Sequence, residues 1–284
     1  MSEFDSPATK SRSAADAHST PHPRPEQHPT RNFITLRVIA ALVLREMSTR
    51  YGKTPGGYIW SIIEPLAAIL VLSIGFALIL RTPPLGTSFM LFYATGYMPY
   101  SMFNSVSNMV GRSISFSKPL LQYPAVTWVD AVLARFLLNS LTAALITLIM
   151  LTGILGVGET QAVLDMVPIL TAVLLAMLLA FGVGVLNCAL SGLFPLWEVI
   201  WSVITRPLFI SSGVFYLYDG MPPLAREVLW YNPLIHVIGE FRSGFYPMYM
   251  ADYVSNLFVL AVAIVTLVMG LVLLGRYHRE ILIR

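Results

Sequence analysis

Apolar positions crowd into six windows of the chain, at residues 59–80, 90–110, 136–157, 167–190, 197–218 and 254–274. About 20 mostly apolar residues are needed for a helix to cross the hydrocarbon core of a bilayer, so each window predicts one transmembrane helix. Four windows hold no charged residue; the first contains Glu64 and the fifth Glu198 and Arg206, which must face protein or water. Ahead of the first window the pattern changes. Leu36, Ile39, Ala40, Val43, Leu44 and Met47 share one helical face, and Arg37, Ala41, Arg45 and Ser48 lie opposite. That is the pattern of an amphipathic helix lying at the membrane interface, followed by a turn carrying Gly52, Pro55, Gly56 and Gly57.

Residues 219–252 are too long for a simple turn and are broken by Pro222-Pro223, Asn232-Pro233 and Pro247. They predict two short re-entrant or interfacial helices between the fifth and sixth spans. The expectation is an all-α polytopic membrane protein in three parts. A disordered cytoplasmic tail covers 1–31, an amphipathic interface helix and linker 32–58, and a six-span domain 59–284.

Composition agrees with a lipid solvent: of 284 residues 56% are hydrophobic and 12% charged, too few charges to keep a soluble surface dispersed. The Ser, Pro, His and Ala-rich opening has no apolar run from which a signal peptide would be built. His18, His22 and His28 read as part of that solvated tail, because no Cys or close His pair accompanies them. The lone Cys188 excludes an intrachain disulfide framework and a Cys-rich metal site. The net charge of +3 comes without a basic, aromatic-studded patch, so nucleic acid is not an expected partner.

Lys and Arg flank alternate ends of the spans. Arg31, Arg37, Arg45, Arg50 and Lys53 precede the first; Arg112, Lys118 and Arg135 separate the second from the third; Arg276, Arg279 and Arg284 follow the sixth. The positive-inside rule makes these segments cytoplasmic and puts both termini inside.

Three stretches carry a resemblance. Residues 44–65 read LREMSTRYGKTPGGYIWSIIEP, Arg206-Pro207 leads into LFISSGVFYL, and residues 229–247 read LWYNPLIHVIGEFRSGFYP. Together they resemble the ABC-2 permeases that export polysaccharides, and the close spacing of NPLIH and FRSGFYP is most similar to the capsular branch rather than the O-antigen or teichoic-acid branches. The resemblance implies a multi-pass inner-membrane permease that moves lipid-linked polysaccharide from cytoplasm to periplasm. It implies a homodimer, two copies of a separate ATPase subunit that binds ATP and Mg, and periplasmic and outer-membrane capsule export proteins as further partners. No G-x-x-x-x-G-K-[ST] phosphate loop is present, so the chain is expected to be no enzyme and to hold no cofactor or metal of its own.

A sliding sugar polymer calls for aromatic faces and neutral polar groups. Phe89, Tyr93, Tyr97 and Tyr100 follow helical spacing on the second window, and Asn104 and Asn108 continue the face. Trp197 and Trp201 add a stripe on the fifth. Interface anchoring and helix packing also gather aromatics, but Tyr97 and Tyr100 fall about 10 and 15 Å along the helix from Met90, deeper than a headgroup anchor requires. These residues, with Arg206, form the expected substrate path. Arg206 lies about 13 Å into its span and needs an ion partner, for which Glu64 and Glu198 are the intramembrane carboxylates, or an anionic group of the substrate.

The position of the amphipathic helix, just ahead of the Gly-rich turn and the first span, points to a coupling role, and the family resemblance implies that the loop at 112–135 docks on the ATPase; Arg45, Arg50, Lys118 and Gln122 are the expected coupling residues. The resemblance also implies an outer gate in 219–252, to which Tyr231, Asn232, Glu240 and Arg242 are assigned, the last two through contacts across a dimer axis. His236 is expected to be a packed, hydrogen-bonded side chain. An ion-gradient secondary transporter is the rival reading, disfavoured because neither midplane acidic sites nor internal repeats are evident. A membrane enzyme fits less well, since no nucleophile and base gather in the sequence.

Overall fold

The computed structural model describes residues 31–51, 57–121, 126–157 and 164–283, and among these every regular element is helical. In chain order they are α1 (Arg31–Tyr51), α2 (Gly57–Ala77), α3 (Phe89–Gly111), α4 (Ser113–Ser117), α5 (Trp128–Val157), α6 (Met166–Leu193), α7 (Trp197–Ser211), a 3-10 turn (Tyr218–Gly220), α8 (Pro223–Leu229), α9 (Pro233–Ser243) and α10 (Asn256–Ile283).

Among the described residues, four helices are long and apolar enough to cross a membrane: Ile59–Ala77, Trp128–Val157, Met166–Leu193 and Asn256–Leu282. The second and fifth predicted spans do not join them, for different reasons. α3 has the length but intersperses Tyr, Ser and Asn, and it tolerates them because much of its surface is buried against protein. α7 ends after 15 residues, about 22 Å of helix, where Ser211 and Ser212 precede Gly213 with φ of 85°. A left-handed residue stops an α-helix, and glycine alone adopts it at little steric cost.

The third span begins earlier than its apolar window. Trp128, Val129 and Asp130, which precede that window, form the first turn of α5. Asp130 Oδ2 accepts hydrogen bonds from the Thr127 amide (3.0 Å) and hydroxyl (2.7 Å), a reciprocal cap that fixes the start of the helix.

α6 occupies the centre and packs against α10, α3 and α9. Lipid supplies no hydrophobic drive between apolar helices, so close van der Waals approach over small residues must hold them. A Cβ at Gly270 of α10 would lie 2.6 Å from the Leu186 amide nitrogen, and one at Gly184 of α6 would lie 2.7 Å from Val110 of α3. Phe136 of α5 packs against Phe181 of α6 with tilted rings whose centroids are 4.3 Å apart.

The amphipathic helix is also more embedded than its pattern suggests. The side of α1 bearing Ile39, Leu42, Val43 and buried Glu46 turns inward, and the helix packs mainly on α5, while Leu44 and Met47 remain exposed. The apolar face is thus split between protein and surroundings. Residues 219–252 hold the short helices α8 and α9, and α9 is drawn into the bundle, burying Leu234, Ile235, Val237, Ile238 and Phe241.

Candidate functional site: a cavity between α3 and α7

A cavity of about 570 Å³ separates the latter half of α3 from α7, with the end of α6 as its third wall. From α3 come Tyr97, Tyr100, Asn104, Ser107 and Asn108, with Arg112 at its C-cap; from α7, Glu198, Trp201, Ser202, Thr205, Arg206 and Phe209; from α6, Asn187 and Ser191. The i, i+3/i+4 rows of α3 and α7 face each other across it. The Tyr100 hydroxyl donates to the Thr205 carbonyl (3.4 Å), and the Phe209 ring lies 4.6 Å from that of Tyr100 and 6.2 Å from that of Tyr97. Asn108 Nδ2 donates to Asn104 Oδ1 (3.0 Å), so the two amides form one polar strip.

Arg112 and Arg206 against Glu198 leave the cavity cationic. Arg206 is exposed to it and has no ion pair among the described residues. Neither expected carboxylate partner holds it: Glu198 lines the same cavity without bonding, and Glu64 lies elsewhere. A second cavity, of about 270 Å³, lies on the other side of α3 between α2 and α5. Glu64 lines it with Ser61, Ser101, Ser105, Asn139 and Thr142, and Tyr97, Tyr100, Asn104 and Asn108 border both spaces. The polar ridge of α3 is therefore a partition between two chambers. Such a wall offers ring faces, amides and hydroxyls to a polyhydroxylated ligand and a guanidinium to an anionic one.

Five of the expected path residues meet here: Tyr97, Tyr100, Asn104, Trp201 and Arg206. Phe89 and Tyr93 do not. Phe89 opens α3 and is half-buried, and Tyr93 is wholly buried against Phe76 (5.2 Å) and Phe92 (5.1 Å). They share the helical stripe, yet at their height α2 covers it. Trp197 anchors α7, its indole N–H donating to Asn187 Oδ1 at 2.9 Å.

The residues assigned to a gate are tied into the fold. Asn232 caps α9 by accepting from the Leu234 amide (3.0 Å) and donates to the Ser211 hydroxyl (2.9 Å), joining α9 to the end of α7. Arg242 is 2% exposed, and its guanidinium donates to the carbonyls of Gly213 (2.8 Å), Val214 (3.0 Å) and Tyr216 (3.0 Å) while lying 4.3 Å over the Phe92 ring. It is enclosed within its own chain, so a direct contact across a dimer axis does not fit this placement. Glu240 is half-buried and does not pair with it; Tyr231 is exposed. His236 is buried, accepts from the Ser255 amide through Nδ1 (3.2 Å) and therefore donates from Nε2 to the Trp230 carbonyl (2.7 Å).

Of the expected coupling residues, Arg45 borders a narrow cleft with Leu42, Glu46, Phe116 and Arg135. Lys118 ends α4 and is half-buried. The Arg50 side chain and Gln122 lie outside the described residues. Sequence reasoning missed Asn187, whose carboxamide braces Trp197 and lines the larger cavity. Its signal was available, since a lone amide deep in a charge-free apolar run needs a polar reason to be there.

The model of the ABC-2 type transporter family matches residues 37–246 of this chain. The chain is 29% identical over 235 residues to the polysialic acid transport protein KpsM of Escherichia coli, covering 83% of this chain and 91% of that protein. It is 27% identical over 248 residues to the capsule polysaccharide export inner-membrane protein CtrC of Neisseria meningitidis serogroup B, covering 87% and 94%. It is 30% identical over 246 residues to the capsule polysaccharide export inner-membrane protein BexB of Haemophilus influenzae, covering 86% and 92%. With helices fit to cross a membrane and a family match running from within α1 to just beyond α9, the chain belongs to the ABC-2 type transporter family, as its membrane component.

Proposed function

We propose that this chain is the transmembrane subunit of an ATP-driven exporter that carries lipid-linked capsular polysaccharide out across the bacterial inner membrane. The observation that carries this reading is the larger of these two cavities, where aromatic rings, carboxamides and hydroxyls share a wall with the Arg206 guanidinium, which has no ion pair among the described residues. Those groups suit a sugar polymer bearing a lipid phosphate or acidic sugars. The similarity of nearly the whole chain to polysaccharide transport proteins supports the same cargo.

In this reading the chain crosses the membrane six times with both termini cytoplasmic. α3 is the second crossing, shielded by α2, α5 and α6, and α7 with the segment up to Tyr218 is the fifth. α7 buries none of its residues within the chain, which supports a second copy packed beside it and a polymer route along the dimer interface. Two copies of a separate ATPase subunit, with ATP and Mg, dock on the end bearing α1 and α4. α8 and α9 form the outer gate, with Tyr231 and Glu240 at its surface and Asn232 and Arg242 setting its position. Phe89 and Tyr93 support the path helix from its outer end.

Deleting the gene in its host and measuring polysaccharide inside and outside the cell tests the reading. Loss from the surface with internal accumulation of lipid-linked polymer is expected; an unchanged distribution, in a strain without a second copy, refutes polysaccharide export.

A further inference from the structure

Glu46 of α1 and Arg135 of α5 are both buried, and Arg135 Nε lies 3.3 Å from Glu46 Oε2. The same guanidinium also reaches α3 and α4: Nη1 donates to the Met109 carbonyl near the end of α3 (3.1 Å), and the Phe116 ring of α4 lies 4.1 Å from its central carbon. One turn along α5, Asn139 Nδ2 donates to the Arg135 carbonyl (2.7 Å) and lines the smaller cavity, while Met109 borders both cavities. α1 itself packs mainly on α5, and this side chain links it directly to the end of α3.

A planar guanidinium offers its edge and its face to different partners at once, which a lysine ammonium does not. Once buried, the pair resists separation, because removing either partner strands the other charge. We propose that Arg135 is a positioning residue through which displacement of α1 is passed to the end of α3 that borders both cavities. The inference deepens the exporter reading, in which α1 meets the ATPase. Hydrolysis moves the path only through contacts that differ between states, and a hub joining three helices from a fourth can transmit such a difference.

The test uses the complete permease–ATPase complex in nanodiscs, with Cys188→Ala removing the native thiol and Ser105→Cys as reporter. Ser105 is exposed toward the smaller cavity, one turn before Met109. The rate of modification by a water-soluble maleimide is measured with and without ATP. The otherwise unchanged complex is expected to show a nucleotide-dependent change of about fivefold or more. In Glu46→Gln and Arg135→Lys that change is expected to collapse while ATP hydrolysis continues. Glu46→Gln keeps size and leaves the guanidinium on Met109 and Phe116, so it decides the matter if Arg135→Lys does not fold. A nucleotide-dependent change that persists in Glu46→Gln overturns the proposal, as does its absence from the unchanged complex. Loss of folded complex in Glu46→Gln also overturns it, since it assigns the pair a structural role alone. A complex whose reporter responds as expected but which exports no polysaccharide leaves the joint standing and removes the exporter reading.

Discussion

The Tyr100 hydroxyl reaches the Thr205 carbonyl across 3.4 Å, joining the middle of α3 to the middle of α7. At the ends of α7 the Trp197–Asn187 and Asn232–Ser211 bonds fix it to α6 and to the cap of α9. α7 is therefore held by a few polar contacts and by the Phe209 ring against Tyr100, without a buried residue of its own.

Tyr97→Leu and Tyr100→Leu are expected to leave the amount of membrane-inserted protein unchanged. Each removes a ring face worth about 1 kcal/mol to a stacked partner, and export is expected to slow by about fivefold for each. Surface polymer measured over time after induction checks this, and an unaltered export rate removes the residue from the path.

Arg206→Gln is expected to keep the thermal midpoint of the purified protein within about 2 °C, because the exposed guanidinium has no ion pair among the described residues to lose. Export of an anionic polymer is expected to fall by about tenfold or more, in line with the loss of a charge-assisted contact. Normal export together with normal protein levels counts against substrate contact.

Arg242→Met is expected to behave in the opposite way. It leaves the carbonyls of Gly213, Val214 and Tyr216 without their donors, at a cost on the order of 3 kcal/mol or more. A lower yield of folded protein and a lower thermal midpoint in detergent are the readouts. Activity lost at full stability points instead to a direct role in transport.

Gly270→Ala drives a Cβ to within 2.6 Å of the Leu186 backbone, so α10 must move away from α6. The expected penalty is about 1–3 kcal/mol, seen as a lower thermal midpoint, whereas Gly153→Ala, where nothing lies within 4 Å, serves as the silent control.

Long charge-free runs made α5, α6 and α10 legible in the sequence, since nothing but a helix buried in lipid or protein accommodates them. α3 was legible as a helix, but its Tyr and Asn residues hid the fact that two chambers flank it. Helical spacing placed Tyr93 and Tyr97 on one stripe, while only tertiary packing reveals that Phe76 covers the first and leaves the second open to the cavity. Arg242 was the least legible. Its partners are backbone carbonyls 26–29 residues away, and backbone leaves no mark in side-chain pattern. Arg135 was hidden similarly, counted as a basic residue of a cytoplasmic loop although it lies buried within α5.

If the polymer, on its route along the dimer interface, touches the wall that α3 and α7 share, crosslinking during export will capture it there. A photoreactive amino acid is placed at Thr205, on the cavity wall, and in a parallel protein at Leu141, which is 70% exposed on the outer face of α5. With both proteins exporting, illumination is expected to attach polysaccharide covalently at 205 and not at 141. Export that continues with no polymer captured at 205, or with equal capture at both positions, contradicts the account.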